Sequence, residues 1–505
     1  MKRFFAVVLS ILLMASILTA CGNSGKTQGT QSNGEGKESG QGNETKQEGE
    51  EPTKLVMYMA AAGNMEDAAK VAEKVNEYIK PLINAEISLN YINMGSYSEQ
   101  VGLMIRSGEQ IDVMFSFEGD TKNYIRQDAL TPLNDLLEKY GSGIVEQIGE
   151  DNLKAAYVNG TVYSLPSLKD MAISRMFVYN KAMADAAGAD FSNVKQINDL
   201  TDVFAKVKAK YTDKSMFGGA GGNAKNFEVW DWDVLSDSMG VLMNYGDSLK
   251  VENLYETDEY AQLCNLMRDW YEKGYIEKDF ATSSETWTSR LQAGTAFGGI
   301  TSYKPGAVEA VEAQTGIDCG YVILTEALSY TSSIVNTNWM IPASSVDPDK
   351  AMQFMDLMYT DPVVANLLLN GIEGTHYEEN EDGTISRIDP DNNKYQEYLG
   401  WAYGNQFITK VWEGNALDIY EKTREFNASS LKSKALGFSF DNSAVVNEIT
   451  ACTNVANKYR TALECGAVNP EEILPKFTAD LNAAGIEKII KEKQAQLDAW
   501  AANNK

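Results

Sequence analysis

The chain has 505 residues, of which 71 are acidic and 44 are Lys or Arg, so its formal net charge at pH 7 is -27. A surface this acidic repels nucleic acid and anionic lipid, which argues against both as partners. A chain of this length is longer than the chains that usually fold around a single hydrophobic core, so the length predicts two or more domains. The hydrophobic content of 44% is ordinary for a soluble globular protein.

The N-terminus has the pattern of a secretory leader. Lys2 and Arg3 precede an apolar run at residues 4–17, which is too short for a typical membrane span. The run ends in Leu18-Thr-Ala-Cys21, which resembles the lipobox of bacterial lipoproteins. The resemblance implies that residues 1–20 are removed and that Cys21 carries lipid. The protein is then anchored by that lipid to the extracellular face of the cell membrane. A plain signal peptide with an incidental cysteine is the alternative.

The segment after Cys21 predicts a tether. Residues 22–52 contain Gly, Ser, Thr, Asn, Gln, Glu, Lys and one Pro, with no aliphatic or aromatic side chain. Such a segment cannot bury enough apolar surface to offset its ordering entropy. We therefore expect residues 21–52 to be disordered and to hold the folded body away from the membrane.

The folded body begins with an alternation of strands and helices. Three strands and two helices are predicted, in the order 54–59, 68–79, 85–92, 96–107 and 111–117, with Pro81 closing the first helix. This alternation is typical of a parallel α/β sheet, in which ligands bind beyond the carboxyl ends of the strands. The loops at 60–64 and 116–120 are therefore the first candidate ligand contacts.

Strand and helix signals continue to the C-terminus. Strands are predicted at 172–179, 292–299, 321–324 and 338–342, and helices at 198–211, 258–274 and 348–358. Asp382-Gly383 is typical of a hairpin turn. The last part is helical, with a helix start at Asn469-Pro470.

Four cysteines remain after Cys21. Cys452 and Cys465 fall in or beside one predicted helix. They are thirteen positions apart, which corresponds to a rise of about 20 Å along a helix, and a disulfide cannot span that distance. A bridge between Cys264 and Cys319 stays open at this stage, and four buried free thiols are the alternative.

Several short motifs follow one another in a characteristic order behind the lipobox. They are GTVYSLPSLKD at 160–170, NTNWMIP at 336–342, GIEGTHY at 371–377, GFSFD at 437–441, PKF at 475–477 and QAQLDAW at 494–500. Together they resemble the extracellular solute-binding proteins of ABC importers. The closer resemblance is to the large lipoproteins of Gram-positive bacteria that share a characteristic C-terminal region.

The resemblance implies an α/β fold of the type II, periplasmic-binding-protein-like kind. Two lobes are joined by a multi-strand hinge, and the ligand is held in the cleft between them. Carried onto this chain, lobe 1 is 53–172 plus 329–400, and lobe 2 is 173–328 plus 401–505. The permease subunits of the importer would be separate chains, and the binding protein itself a monomer without metal or cofactor.

The resemblance implies a small-molecule ligand, a sugar in the first place. A site for a sugar needs aromatic platforms flanked by carboxylates, amides and Arg. The resemblance and the polar context of the aromatic residues favour one set of pocket candidates: Glu118, Asp120, Asp170, Arg175, Trp230, Trp287, Trp339 and Tyr377. Each of them has a structural alternative, as a core residue or a partner in an ion pair. Trp270 and Trp500 are predicted to be structural, and for His376 both a structural role and a ligand contact stay open.

The sequence gives little support to an enzyme. One histidine and no Gly-x-Ser-x-Gly motif leave little for triad chemistry, and no His/Cys cluster has zinc spacing. Asp389 starts a calcium-loop-like run that lacks the Gly and Glu such a loop requires. We therefore expect a binding protein that captures a carbohydrate or oligosaccharide and delivers it to an ABC importer. The alternatives are a surface sensor or adhesin, and import of peptides or other polar solutes.

Overall fold

The computed structural model describes residues 51–218 and 231–503. The predicted leader, the tether, Cys21 and Trp230 lie outside these residues. None of the helices within them is both long enough and apolar enough to cross a membrane.

Strands β1 to β15 span, in chain order, Thr53–Ala61, Ala85–Asn93, Val113–Phe117, Tyr157–Val158, Thr161–Val162, Leu165–Pro166, Ser174–Asn180, Ser215–Phe217, Ala296–Tyr303, Cys319–Ile323, Leu328–Ser329, Thr337–Met340, Tyr377–Glu379, Ile385–Arg387 and Leu431–Lys432. Helices α1 to α19 span Ala68–Ile83, Tyr97–Ser107, Glu118–Arg126, Asn134–Tyr140, Ser142–Ile148, Glu150–Leu153, Lys181–Ala187, Leu200–Lys210, Met243–Gly246, Asp258–Glu272, Trp287–Gln292, Ala307–Thr315, Thr331–Ile334, Pro348–Thr360, Pro362–Asn370, Ile419–Ser429, Val446–Glu464, Pro470–Ala484 and Ile486–Asn503.

Lobe 1 is built on a five-stranded sheet with the order β2-β1-β3-β12-β6. Strand β1 runs parallel to β2 and β3, as the strand–helix alternation predicts, whereas β12 returns from much later in the chain and runs antiparallel to β3. Buried side chains of this sheet and of its covering helices form one continuous core. The predicted α/β class is confirmed in this lobe.

Helix α1 passes the residue that was predicted to end it. Pro81 lies in the last turn, and the helix continues to Ile83. Asn84 ends it instead, because its φ of 48° is left-handed and its N–H bonds to the carbonyl of Lys80. Only one backbone bond is lost at Pro81, and the buried apolar face of α1 outweighs that loss.

Lobe 2 is built on a four-stranded sheet with the order β10-β7-β9-β8. Strand β7 runs antiparallel to β9 and β10, and β8 runs parallel to β9. The two faces of the sheet are covered by two separate apolar clusters. The prediction of a strand at 292–299 is shifted, because α11 extends to Gln292 and a left-handed Gly294 separates it from β9.

A third core is helical and lies in the C-terminal part of the chain. Side chains of α17, α18 and α19 pack there against residues 232–260. Helix α10 connects this core to that of lobe 2, since Cys264 belongs to the first and Met267 to the second. We call residues 434–502 the C-terminal helical region.

Three chain segments lie side by side where the lobes join, and they contain Ile173, β11 and β15. Ile173 exchanges backbone hydrogen bonds of 2.8 and 2.9 Å with Leu328, and β11 pairs in parallel with β15. This arrangement corresponds to the multi-strand hinge that the resemblance implies. The predicted lobe boundary at residue 400 falls inside the first core, since Ala402 and Tyr403 are buried in it.

The four cysteines of the described residues are buried and free. The question of a bridge between Cys264 and Cys319 is therefore answered in favour of free thiols. Burial raises the pKa of Cys264 to about 12 and that of Cys319 to about 11, so both thiols stay protonated at neutral pH. Cys452 lies within α17 and Cys465 directly follows it, as predicted.

Candidate functional site

A groove of about 1510 Å³ lies in the described part of the chain. One wall belongs to lobe 1 and consists of α3, of α4 to α6 and of the hairpin β4–β5. The other wall consists of residues 434–441 and of the last two turns of α19. A groove of this size can hold several sugar-sized units side by side.

The groove carries both kinds of group that a sugar requires. Its polar and charged lining includes Lys122, Arg126, Asn134, Glu138, Asn159, Asp441 and Gln496, and its aromatic lining comprises Tyr157, Phe438, Phe440 and Trp500. Tyr157 is 38% exposed, while Phe438 and Phe440 are almost buried. Trp500 packs edge-on against Phe438 with ring centroids 6.0 Å apart. Trp500, predicted to be structural, therefore contributes to this lining as well.

The motif at residues 437–441 forms one wall of the groove because it is fixed from both sides. Gly437 has a φ of 98°, and a Cβ there would approach the carbonyl oxygen of Lys154 to 3.2 Å. Its N–H donates to Thr331 Oγ1 at 2.9 Å, beside the hinge. Asp441 exchanges two hydrogen bonds with the side chain of Gln496 on α19, at 3.0 and 2.9 Å. The sequence identified this motif but did not place it at the site.

Glu118 begins α3 directly after β3 and orients a lysine that lines the groove. Its carboxylate accepts from Lys122 Nζ at 2.7 Å and from Ser332 Oγ at 2.9 Å. Lys122 Nζ also donates to Ser236 Oγ at 2.9 Å, which links α3 to residues that follow β8. Glu118 itself lines a smaller cavity of about 30 Å³ next to the groove. It thus acts beside the groove rather than in it.

Two other predicted carboxylates also lie near the lobe junction. Asp120 is in the first turn of α3 and half-buried. Asp170 lies just before the first hinge segment and accepts from Lys304 Nζ at 3.0 Å, where Lys304 directly follows β9 of lobe 2. Neither carboxylate lines the large groove. Both stay candidates for contact with a ligand that extends toward the hinge.

Arg175 and Trp287 are packed into lobe 2 and do not project into the groove. Arg175 is 7% exposed and its guanidinium donates to Ser302 of the neighbouring strand. Trp287 is 8% exposed and lies against Gly299, where a Cβ would come within 2.6 Å of its ring. The glycine allows the indole to lie flat on the sheet, which is a packing role.

Trp339 and Tyr377 are predicted to be ligand platforms, but the structure buries both rings. Trp339 lies in β12, between β3 and β6 of the first sheet, is fully buried, and donates its indole N–H to the carbonyl of Ala402 at 2.8 Å. Tyr377 is 4% exposed and packs against Trp412. Neither ring has a free face on which a sugar could stack. His376 is also structural, since it is buried and its Nδ1 accepts from the N–H of Ile372 at 2.9 Å.

We expect Trp339→Phe to lower the free energy of unfolding by about 2 kcal/mol without changing ligand affinity. The smaller ring leaves a void, and the carbonyl of Ala402 loses its donor. Urea unfolding and a binding titration check this, with Trp401→Phe, half-buried at the rim of the same core, as the control. A large loss of ligand affinity in the Trp339 variant, but not in the Trp401 variant, would show that Trp339 does contribute to the binding site.

Within the described residues, no cluster of three or more His, Cys, Asp or Glu side chains is arranged to hold a metal ion. The residues that line the groove offer hydrogen bonds, charge and aromatic packing. These are the means of reversible recognition of a polar solute.

Comparison with known families gives two matches. Residues 71–371 match the bacterial extracellular solute-binding proteins, which is more than half of the chain. Residues 434–502 match a domain of unknown function, DUF3502, which coincides with the C-terminal helical region.

Two curated relatives cover much of the chain. A carbohydrate ABC transporter substrate-binding protein of Streptococcus pneumoniae is 27% identical over 100% of this chain and 99% of its own length. Lipoprotein LipO of Bacillus subtilis is 25% identical over 64% of this chain and 68% of its own length.

Among solved structures, the N-glycan transport solute binding protein NgtS of Streptococcus pneumoniae is similar at 25% identity. It matches with a TM-score of 0.79 over 90% of this chain and 100% of its own. The same protein in complex with Man5GlcNAc, matched over 90% and 99%, gives a TM-score of 0.66.

Proposed function

The chain belongs to the bacterial extracellular solute-binding proteins, and we propose that it captures a carbohydrate and delivers it to an ABC importer. Members of this family are binding components of transport systems and not enzymes. The observation that carries the proposal is the groove of about 1510 Å³ between lobe 1 and the C-terminal helical region. Its combination of aromatic and polar groups is what a sugar needs.

The relatives support the carbohydrate class. The pneumococcal relative that aligns with the whole chain is a carbohydrate transporter component, and NgtS, of similar fold, binds Man5GlcNAc. A glycan of that size would need an extended site, and a groove with two opposed walls offers one. We infer an oligosaccharide rather than a monosaccharide as the ligand.

We infer that Cys21 carries the lipid anchor and that the protein works at the outer surface of the membrane. The leader ends in Leu-Thr-Ala-Cys, and the similarity to lipoprotein LipO supports the same placement. A long polar segment then separates Cys21 from β1. It would let the folded body reach separate permease subunits in the same membrane.

Ligand capture is proposed to close the two walls of the groove. The TM-score is higher against NgtS without a named glycan than against its Man5GlcNAc complex, 0.79 against 0.66. This difference supports an open form for the chain described here. A ligand that touches both walls stabilises the closed form by its differential affinity for that form.

The test is a calorimetric titration of residues 21–505 with Man5GlcNAc, with a fructo-oligosaccharide and a peptide mixture in parallel arms. We expect the glycan to bind and small-angle scattering to show a smaller radius of gyration in its presence. Peptide binding without any sugar binding would overturn the carbohydrate proposal. Sugar binding without a loss of uptake in a strain that lacks the gene would favour the sensor alternative over the importer.

Tyr157→Ala should weaken glycan binding about tenfold, because an exposed ring that stacks on a sugar contributes about 1–1.5 kcal/mol. Tyr321→Ala is the matched control, since Tyr321 is 46% exposed but lies on lobe 2 outside the groove. The same titration measures both variants. Equal affinities for the two variants would mean that the glycan does not use the β4–β5 wall.

A further inference from the structure

The segment at residues 233–251 has an unusual backbone. Five of its non-glycine residues have positive φ angles: Leu235 at 42°, Ser236 at 80°, Ser238 at 61°, Asn244 at 52° and Tyr245 at 56°. Each such residue costs on the order of 1–2 kcal/mol relative to an ordinary conformation. The segment can keep this shape only if surrounding groups hold it.

A buried lysine of α19 holds the middle of the segment. Lys493 has no exposed side-chain surface, and its ammonium donates to the carbonyls of Leu235 and Gly240 at 3.2 Å each and to Asp237 at 2.5 Å. Three donors thus meet three acceptors of one segment. A buried ammonium is costly to keep in a protein core, and a full set of acceptors within one segment explains how it is retained.

Two further contacts hold the ends of the segment. At the C-terminal end, Gln494 accepts from the N–H of Val251 at 2.7 Å and donates to the carbonyl of Leu249 at 2.9 Å. At the N-terminal end, the hydroxyl of Ser433 donates to the buried carboxylate of Asp233 at 2.7 Å. The segment is therefore hydrogen-bonded at its beginning by Ser433, which precedes the C-terminal helical region, and at its middle and end by Lys493 and Gln494 of that region.

The held segment contacts a residue of the binding groove. Ser236 accepts from Lys122, which lines the groove on the side of lobe 1. Lys493 also lies 4.9 Å from the ring centre of Phe440, which lines the opposite wall. The same ammonium therefore supports the strained segment on one side and the aromatic wall on the other.

We propose that the C-terminal helical region, whose family has no known function, positions residues 233–251 for ligand capture, with Lys493 as the positioning residue. The proposal rests on the proposed function only for the consequence for carbohydrate affinity. In this view Lys493 does not touch the ligand. It keeps Ser236 against Lys122 of one wall and supports Phe440 of the other wall from behind, and so fixes the two walls between which the ligand binds.

The test compares Lys493→Met with Lys488→Met in the full chain. Methionine keeps a long apolar side chain and removes the ammonium, while Lys488 lies on the same helix in an exposed ion pair with Glu448. For Lys493→Met we expect hydrogen exchange of the amides of 233–251 to become at least tenfold faster, with exchange in β1 unchanged. Affinity for Man5GlcNAc should fall at least fivefold. Lys488→Met should change neither quantity.

A second variant covers the case in which Lys493→Met does not fold. Asp237→Asn removes the same ion pair from the segment's own side and should also accelerate exchange in 233–251 alone. Unchanged exchange in that segment, or the same acceleration throughout the protein, would overturn the positioning role. If the unmodified protein does not bind Man5GlcNAc, the carbohydrate proposal fails, while the exchange data still decide the role of Lys493.

Discussion

Replacing Glu397 by glutamine should make the protein more stable at pH 8 and leave its stability at pH 4.5 nearly unchanged. Glu397 lies in lobe 1 and is 2% exposed. One carboxylate oxygen accepts from the backbone N–H groups of Tyr398 and Leu399 at 2.8 Å each. The other is not within hydrogen-bond distance of a described group, and the nearby Tyr403 hydroxyl offsets only part of the cost of burying the charge. A carboxylate in this position carries a charge that burial disfavours.

The sign of the effect follows from the pKa. Burial raises the pKa of Glu397 from 4.5 to about 7, so the folded state holds its proton more tightly than the unfolded chain. The stabilising contribution of that proton is fully present below pH 4.5 and is lost as the pH rises through 7. The whole effect amounts to about 3 kcal/mol. A glutamine stays neutral, and its oxygen can still accept from both backbone N–H groups.

Urea unfolding of both proteins between pH 4.5 and 8 measures this difference directly. Other carboxylates titrate in both proteins alike, so the difference between the two curves isolates residue 397. Glu378→Gln is the matched control, because Glu378 is exposed on strand β13 of the same lobe. Parallel stability curves for the Glu397 variant and the unmodified protein would contradict the expectation.

The first sheet was predictable because its signals are local. The strand at 85–92 and the helix from Ala68 agree with β2 and α1 within a few residues. The helix end after Pro81 was not predictable in the same way, since it depends on the left-handed conformation of Asn84 and on packing of the apolar face. Local patterns identify elements well and their ends less well.

The binding groove was not predictable from local patterns. Trp339 follows two asparagines in the sequence, a polar context that favours a ligand contact, yet it lies in β12 between β3 and β6 and is fully buried. The sequence singles out the motif that contains Phe440 but does not place it opposite Tyr157. The two residues line one groove only because the chain returns to lobe 1 after more than 280 positions. Sequence context does not encode such a meeting.

Replacing Arg460 by methionine should cost about 3–5 kcal/mol of stability, because it leaves a buried carboxylate without its cation. Arg460 and Glu464 lie one turn apart on α17, and their side chains meet at 2.6 and 3.3 Å. Glu464 is only 1% exposed and also accepts from the hydroxyl of Tyr260 on α10 at 3.1 Å. The pair thus fixes α17 against α10 inside the third core.

The double variant Arg460→Met with Glu464→Gln separates the charge from the packing. A neutral amide no longer needs the guanidinium, and its oxygen can still accept from Tyr260, so we expect at least 2 kcal/mol of the loss to be recovered. Lys273→Met is the control for an ordinary ion pair. Lys273 and Asp269 are also four residues apart but both are more than 40% exposed, so its loss should stay within about 0.5 kcal/mol.

Loss of the Arg460–Glu464 ion pair should also affect the wall of the binding groove at residues 437–441. Helix α17 begins at Val446, shortly after the 437–441 wall, and packs on α18 and α19. If α17 packs less firmly, that wall loses part of its support. Thermal unfolding of Arg460→Met is expected to show an early transition that near-saturating glycan partly reverses. At a hundredfold excess over the dissociation constant, ligand adds about 2.7 kcal/mol to the folded state. If Arg460→Met loses stability and glycan does not shift its early transition, the ligand binds away from the C-terminal wall.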